Sequence, residues 1–279
     1  MKIVRTVAEV RVARASLGRL GFVPTMGALH DGHMSLITAA RAECDAVAAS
    51  IFVNPTQFGP NEDLSRYPRP IEADLARLDD AGVELVFLPS PEVIYPAGFD
   101  TRIEVGVIAN RLEGAVRPGH FSGVATVVAK LFNIVTPDVA WFGQKDVQQT
   151  RVIRQMVRDL DLPVAIRIGP TLREVDGLAM SSRNVYLSSD DRAQAVALYR
   201  GLSAAQAAWQ AGETSAAVLR SLVATEIAKT DGAIDYISIA DTDTLEELET
   251  VPEEGAVVSL AVRYGTTRLI DNLILPPRP

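Results

Sequence analysis

A single cysteine, Cys44, stands in a chain of 279 residues. That scarcity excludes an intrachain disulfide and a thiolate metal cage, and it fits a reducing compartment. Cations are the minority charge: 27 Lys and Arg against 35 Asp and Glu leave a formal charge of −8, with a pI near 5.0. Nucleic acid and anionic lipid are held chiefly by Lys/Arg clusters, so neither is expected as a partner. Any phosphate must then be met by a local site. No run reaches the roughly 18 apolar residues of a membrane span, and Met1-Lys2-Ile3-Val4-Arg5 lacks the apolar core of a signal peptide. A soluble, cytoplasmic protein is expected.

What is present is an alternation. Short apolar, β-branched runs at 20–23, 46–53, 83–88, 139–142 and 164–168 are separated by segments at 33–43, 71–81, 121–135 and 146–160. The apolar residues of those segments recur at three and four, the spacing of a helix with one buried face. Strands alternating with helices predict a parallel sheet covered on both faces. Pro70 suits the first turn of the helix after it and Gly82 its C-terminal cap. From about Val175 the texture changes: an Ala- and Gln-rich helix pair (190–210 and 215–229) precedes three strands (233–240, 256–262, 267–275), the last two joined across Tyr264-Gly265-Thr266 as an antiparallel hairpin. The expected organisation is a catalytic α/β domain over residues 1–174 and a smaller α+β domain over 175–279, with a boundary near Glu174-Val175-Asp176-Gly177.

The three histidines, His30, His33 and His120, each lie beside a glycine in a loop or helix start, not within an apolar periodic segment. The first two fall in Pro24-Thr25-Met26-Gly27-Ala28-Leu29-His30-Asp31-Gly32-His33, between a strand and a helix, where unpaired N–H groups and the positive dipole end suit a triphosphate. Turn residues without a ligand, or a zinc pair, are the alternatives; the latter lacks a third His or Cys at ligand spacing. Phe52-Val53-Asn54-Pro55-Thr56-Gln57-Phe58 puts two amides at the C-terminal end of a strand, the edge at which open α/β sheets bind ligands. Asn54 and Gln57 can recognise hydroxyl and carboxylate oxygens, or Asn54 can close an Asx turn before Pro55. Arg117-Pro118-Gly119-His120-Phe121 opens a helix with two potential cations. Phe142-Gly143-Gln144-Lys145-Asp146-Val147-Gln148-Gln149 repeats the strand–glycine–helix arrangement: Lys145 can neutralise phosphate, Asp146 can cap the helix or hold a ribose, and Gln149 lies one turn further in. Met180-Ser181-Ser182-Arg183-Asn184 is either a polar arm able to close over a triphosphate or a solvated linker.

In this order, these five strings resemble the pantoate–β-alanine ligases, also called pantothenate synthetases; the likeness runs from Pro24 to about Leu187, and the C-terminal domain has the size expected of the family. The resemblance implies a Rossmann-like nucleotidyltransferase domain related to class I aminoacyl-tRNA synthetases, a C-terminal lid domain and a homodimer. It further implies that pantoate and ATP, with Mg²⁺, give pantoyl adenylate and pyrophosphate, and that β-alanine then gives pantothenate and AMP. By the same likeness, His30 and His33 belong to the ATP motif. Lys145, Ser181, Ser182 and Arg183 bind phosphate, with Met26, Gly143 and Asp146 also on the nucleotide. Met26, Gln57 and Gln149 hold pantoate with Asn54 alongside; Tyr67, Arg117 and His120 line the site, and Asp74 is the acidic candidate for magnesium. A nucleotidyltransferase that places AMP on a phosphate shares the first motif but lacks the Asn/Gln pair, and a nucleotide-sensing module without turnover would not need intact polar residues in all five strings.

Overall fold

A computed structural model describes residues 1–60 and 62–278. In chain order its elements are β1 (Lys2–Val4), α1 (Val7–Arg14), β2 (Leu20–Thr25), α2 (Asp31–Glu43), β3 (Ala46–Ile51), α3 (Ile71–Asp80), β4 (Leu85–Phe87), α4 (Pro91–Ile94), α5 (Leu112–Val116), α6 (His120–Val135), β5 (Val139–Gly143), α7 (Val147–Asp159) and β6 (Ala165–Gly169). There follow α8 (Ser189–Gln194), α9 (Ala197–Gln210), α10 (Ala216–Ile227), β7 (Ala233–Ala240), β8 (Ala256–Tyr264) and β9 (Thr267–Leu275). The chain divides into two compact units, Met1–Gln144 with Gln149–Pro170, and Lys145–Gln148 with Thr171–Pro279.

In the first unit six strands form a wholly parallel sheet in the order β1-β4-β3-β2-β5-β6. All six residues of β3 are buried, as a strand covered on both faces requires. Ala46 and Ala48 face a core with α1, α6 and α7, including Val10, Phe132 and Ile153. Val47, Ala49 and Ile51 face a second core with Ile37 and Ala40 of α2 and Leu78 of α3. The chain builds outward from β2 to β4, then crosses to β5 on the other side of β2. That reversal is a topological switch point, where the loops leaving two neighbouring strands part to make a crevice.

The second unit packs α9 and α10 on a three-stranded antiparallel sheet, order β7-β8-β9. Alternate residues of β8, Ala256, Val258, Leu260, Val262 and Tyr264, turn toward the helices, where Trp209 is almost fully enclosed. Glu174–Gly177, where the composition changes, is the turn of a small hairpin within this unit: Arg173 bridges Ala179, the Gly177 amide donates to the Glu174 carbonyl, and Arg192 pairs with both Glu174 and Asp176. Among the described residues no helix is long and apolar enough to cross a membrane.

Candidate active site

The loop from β2 to α2 is held open by its neighbours. Gly27 (φ 83°) and Ala28 (φ 51°) are both left-handed, a strained conformation for an alanine. Asp74 of α3, buried to 1% exposure, compensates: its two carboxylate oxygens accept from the Ala28 and Leu29 amides, each at 2.8 Å. One turn on, Arg77 donates to the Leu29 carbonyl at 2.9 Å and pairs with Asp31. Asp74, expected as the acidic candidate for magnesium, thus has each of its oxygens accepting from a backbone N–H group, and in this structure it shapes the loop.

His30 is the N-cap of α2. Its Nδ1 accepts from the Gly32 amide at 3.2 Å, and Nδ1 of His33 accepts from the His30 amide at 3.3 Å, a reciprocal box made by two imidazoles. A ring nitrogen that accepts carries no hydrogen, so in both rings the proton sits on Nε2. The rings are 4.2 Å apart. One helix N-terminus thus gathers backbone N–H groups and two imidazole N–H donors, a set suited to an anion.

After β3, Asn54 is 1% exposed and caps the one-turn helix Pro55–Gln57. Its Nδ2 donates to Gln57 Oε1 at 3.0 Å and to the Gly123 carbonyl at 3.1 Å, and its Oδ1 accepts from Tyr95 Oη at 2.7 Å and Thr56 Oγ1 at 3.0 Å. Both ends of the Asn54 amide thus meet partners within the protein, one of them Gln57, whose Nε2 donates to Met26 Sδ at 3.3 Å. Gly123 of α6 must be glycine for this packing, since a Cβ there would stand 2.5 Å from the Thr56 carbonyl oxygen and 2.8 Å from the Gln57 nitrogen.

Arg117 and His120, expected as two potential cations lining the site, meet partners within the protein. Arg117 forms a two-point pair with Glu62, at 2.6 Å and 2.5 Å. Burial alone would push the Glu62 carboxyl up, but the bonds and charge of Arg117 outweigh it and hold it below the ordinary carboxylate range. His120 Nδ1 lies 2.8 Å from the Gln57 carbonyl oxygen, which can only accept, so Nδ1 bears the hydrogen. Its Nε2 then accepts from Arg117 Nη1 at 3.1 Å. Burial, reinforced by the Arg117 charge, pushes the His120 pKa down to about 4. The ring is neutral at working pH, and the chain Glu62–Arg117–His120 ends on the backbone of Gln57.

This relay has a pH signature. The unfolded chain takes a proton on His120 near 6.5 and the folded one near 4, so the stability it contributes is complete above the unfolded value and is lost as pH falls through the folded one. Thermal unfolding should register a loss of roughly 2 kcal/mol from this group between pH 7.5 and pH 5. His120→Asn, which keeps an N–H donor but does not titrate, should flatten that dependence; an equal fall in both proteins would contradict it.

Tyr67 is buried and meets Phe58 edge-on at 6.0 Å. Gly143 ends β5 opposite Gly169, with open space where a Cβ would stand. Gln149, half-buried, lies in the first turn of α7. In the second unit, Lys145 and Asp146 sit in the one-turn helix Gln144–Asp146, with Lys145 Nζ 4.0 Å from the Asp146 carboxylate and the Lys145 carbonyl accepting from Asn272 Nδ2 at 2.7 Å. Ser181 caps the turn Ser182–Tyr186, accepting from the Arg183 amide at 3.2 Å, and Asn184 ties that turn back to Glu174 and the Ala179 carbonyl. Tyr95, Glu62, Arg77 and Asn272 carried no local sequence signal; each acts on a partner more than 40 residues away.

A parallel sheet with an imidazole-capped helix N-terminus beside its switch point defines a nucleotidyltransferase-like α/β fold with an added C-terminal domain. The sequence profile of the pantoate–β-alanine ligases matches residues 2–274. The chain is 58% identical to a pantothenate synthetase of Herpetosiphon aurantiacus over 99% of its own length and 100% of the relative's. A crystal structure of pantothenate synthetase from Thermus thermophilus superposes with a TM-score of 0.95 at 49% identity, over 99% of this chain and 100% of that one. A pantoate–β-alanine ligase from Francisella tularensis, complexed with β,γ ATP and β-alanine, superposes at 0.81 with 38% identity, covering 99% and 98%. The chain belongs to the pantoate–β-alanine ligase family and is an enzyme of it.

Proposed function

We propose that the enzyme makes pantothenate from pantoate and β-alanine at the expense of ATP, through pantoyl adenylate. A carboxylate is a poor acyl donor because its leaving group would be an oxide; transfer of AMP to it supplies a better one. The pantoate carboxylate attacks the α-phosphorus and pyrophosphate leaves. The β-alanine amine then attacks the acyl carbon and AMP leaves with the bridging oxygen. Little covalent help is required, so the protein acts by positioning and by meeting phosphoryl charge.

The observation that carries this reading is the reciprocal capping of His30 and His33, which makes both Nε2 atoms donors at one helix N-terminus. In this reading they meet the phosphates together with Lys145, Ser181, Ser182 and Arg183, while Gly143 and Asp146 border the nucleotide. The Gln57 amide donates to pantoate between Met26 and Gln149. Mg²⁺ would be held mainly by the nucleotide, since it binds readily through phosphate oxygens, waters and one or two carboxylates. Among the described residues no three His, Cys, Asp or Glu gather to hold a metal by themselves. When bound it neutralises phosphate charge.

The test is a coupled assay: ATP, Mg²⁺ and pantoate should release pyrophosphate, and AMP should follow when β-alanine is added. Pyrophosphate released equally without pantoate would contradict the reading. Gln57→Ala should raise the KM for pantoate about tenfold or more, as expected for loss of a hydrogen bond to a charged group, and leave that for ATP nearly unchanged; movement of the ATP constant alone would place Gln57 elsewhere. A homodimer, also proposed, should scatter light as twice 30.0 kDa.

A further inference from the structure

We propose that Tyr95 is a positioning residue that decides which end of the Gln57 amide is offered to the organic acid; this rests on the pantoate reading of Gln57 given above. Tyr95 follows α4 and reaches the site through Asn54 and Thr56, with its hydroxyl 2.7 Å from Asn54 Oδ1 and 3.2 Å from Thr56 Oγ1. The ring is fixed between Phe52, at 6.3 Å, and Phe99, at 5.2 Å, and Phe99 is covered in turn by Lys130 Nζ at 4.4 Å. Burial pushes the phenol pKa up, so the hydroxyl keeps its hydrogen at working pH.

A carboxamide has two faces of opposite sign, one accepting and one donating, and a half-turn exchanges them. Three donors converge on Asn54 Oδ1: the Tyr95 hydroxyl, the Thr56 hydroxyl and the Thr56 amide. That convergence aims both Nδ2 hydrogens at acceptors, Gln57 Oε1 and the Gly123 carbonyl. With its own oxygen engaged, Gln57 turns its NH₂ toward Met26 Sδ, a weak acceptor that a ligand oxygen readily replaces. The pocket therefore presents a donor, matched to a carboxylate or hydroxyl oxygen. Without the Tyr95 hydroxyl, Asn54 and Gln57 can reverse together and present an oxygen to an oxygen.

Tyr95→Phe in the full-length enzyme keeps both ring contacts and removes only the hydroxyl. Steady-state kinetics, with pantoate and ATP varied separately, should show the pantoate KM raised about tenfold, the size of one buried hydrogen bond, and the ATP KM within about twofold of wild type. In a Gln57→Ala background the same substitution should add nothing, because its effect passes through Gln57. An unchanged pantoate KM, an equal shift in both constants, or the same penalty in the Gln57→Ala background would overturn the proposal. Should Tyr95→Phe not fold, Thr56→Val decides: removal of the second hydroxyl donor should raise the pantoate KM by a smaller factor, and no change would overturn the idea. Wild-type enzyme that releases no pyrophosphate with pantoate would overturn this proposal and the functional reading together, whereas active wild type with an indifferent Tyr95 overturns this proposal alone.

Discussion

Lys145→Ala is expected to slow pyrophosphate release by about 10²-fold or more, the size associated with loss of one fixed electrostatic stabiliser. Lys145 stands in a single helical turn after β5 with its side chain 20% exposed, enough to reach a ligand and enclosed enough for its charge to count. Its backbone is pinned by Asn272 of β9, whose neighbour Asp271 forms a buried pair with Arg173 at 2.6 Å. Burial pushes the Asp271 carboxyl up against the opposing pull of Arg173, and Lys145 contributes a further favourable charge. The substitution should lower the melting temperature only slightly, since the ion pair to Asp146 is long, at 4.0 Å, and the charge Lys145 lends Asp271 is secondary to that of Arg173. Lys145→Arg should recover part of the rate, limited by the bulk of a planar fork where a compact ammonium fits. Rapid-quench measurement of pyrophosphate in a single turnover checks this; a rate within about tenfold of wild type would remove Lys145 from the chemistry.

Asp74→Ala should damage both stability and activity. It leaves the Ala28 and Leu29 amides without their acceptor in a buried place, at about 1–3 kcal/mol each, and frees a loop whose Gly27 and Ala28 both have positive φ. Together the loss should be roughly 2–6 kcal/mol in chemical denaturation. Pyrophosphate release should fall further than unfolding explains, because the same loop sets His30 at the head of α2. Asp74→Asn should fall between the two proteins, since one carboxamide oxygen can still accept while its NH₂ confronts an amide N–H. Activity lost at unchanged stability would instead favour direct contact between Asp74 and a bound ion.

Regular structure was more legible in the sequence than the wiring of the site. The strand–helix alternation named the parallel sheet because buried strands and half-buried helices leave different periods. Pro70 and Gly82 mark the ends of α3, as N-cap and as a left-handed residue just past the C-cap. The segment 190–210, read as one helix, breaks into α8 and α9 around Ala195 and Val196, where no proline or glycine announces it. Strand β1, three residues long, is too short to show a period, and α1 went unread although Thr6 and Glu9 form a capping box at its start.

At the site the motifs marked candidate residues but not their hydrogen-bond partners. Asn54 and Asp74, expected to face ligands, also hold neighbouring site residues through hydrogen bonds the motifs do not show. Arg117 and His120, two potential cations in the sequence, are one charge paired with Glu62 and one neutral ring. Each difference comes from a partner distant in sequence: Tyr95 for Asn54, the 28–29 amides for Asp74, Glu62 for Arg117. Hydrogen-bond polarity is a property of pairs, and a single chain position shows only half of it.

The central claim is that the organic acid's own carboxylate attacks the α-phosphorus. Pantoate labelled with ¹⁸O in its carboxylate, turned over with ATP, Mg²⁺ and β-alanine, should deliver one labelled oxygen to the phosphate of AMP and none to pyrophosphate, as mass spectrometry of the products will show. Unlabelled AMP, or label in inorganic phosphate alongside ADP, would mean that the acid is activated by another route and would contradict the account.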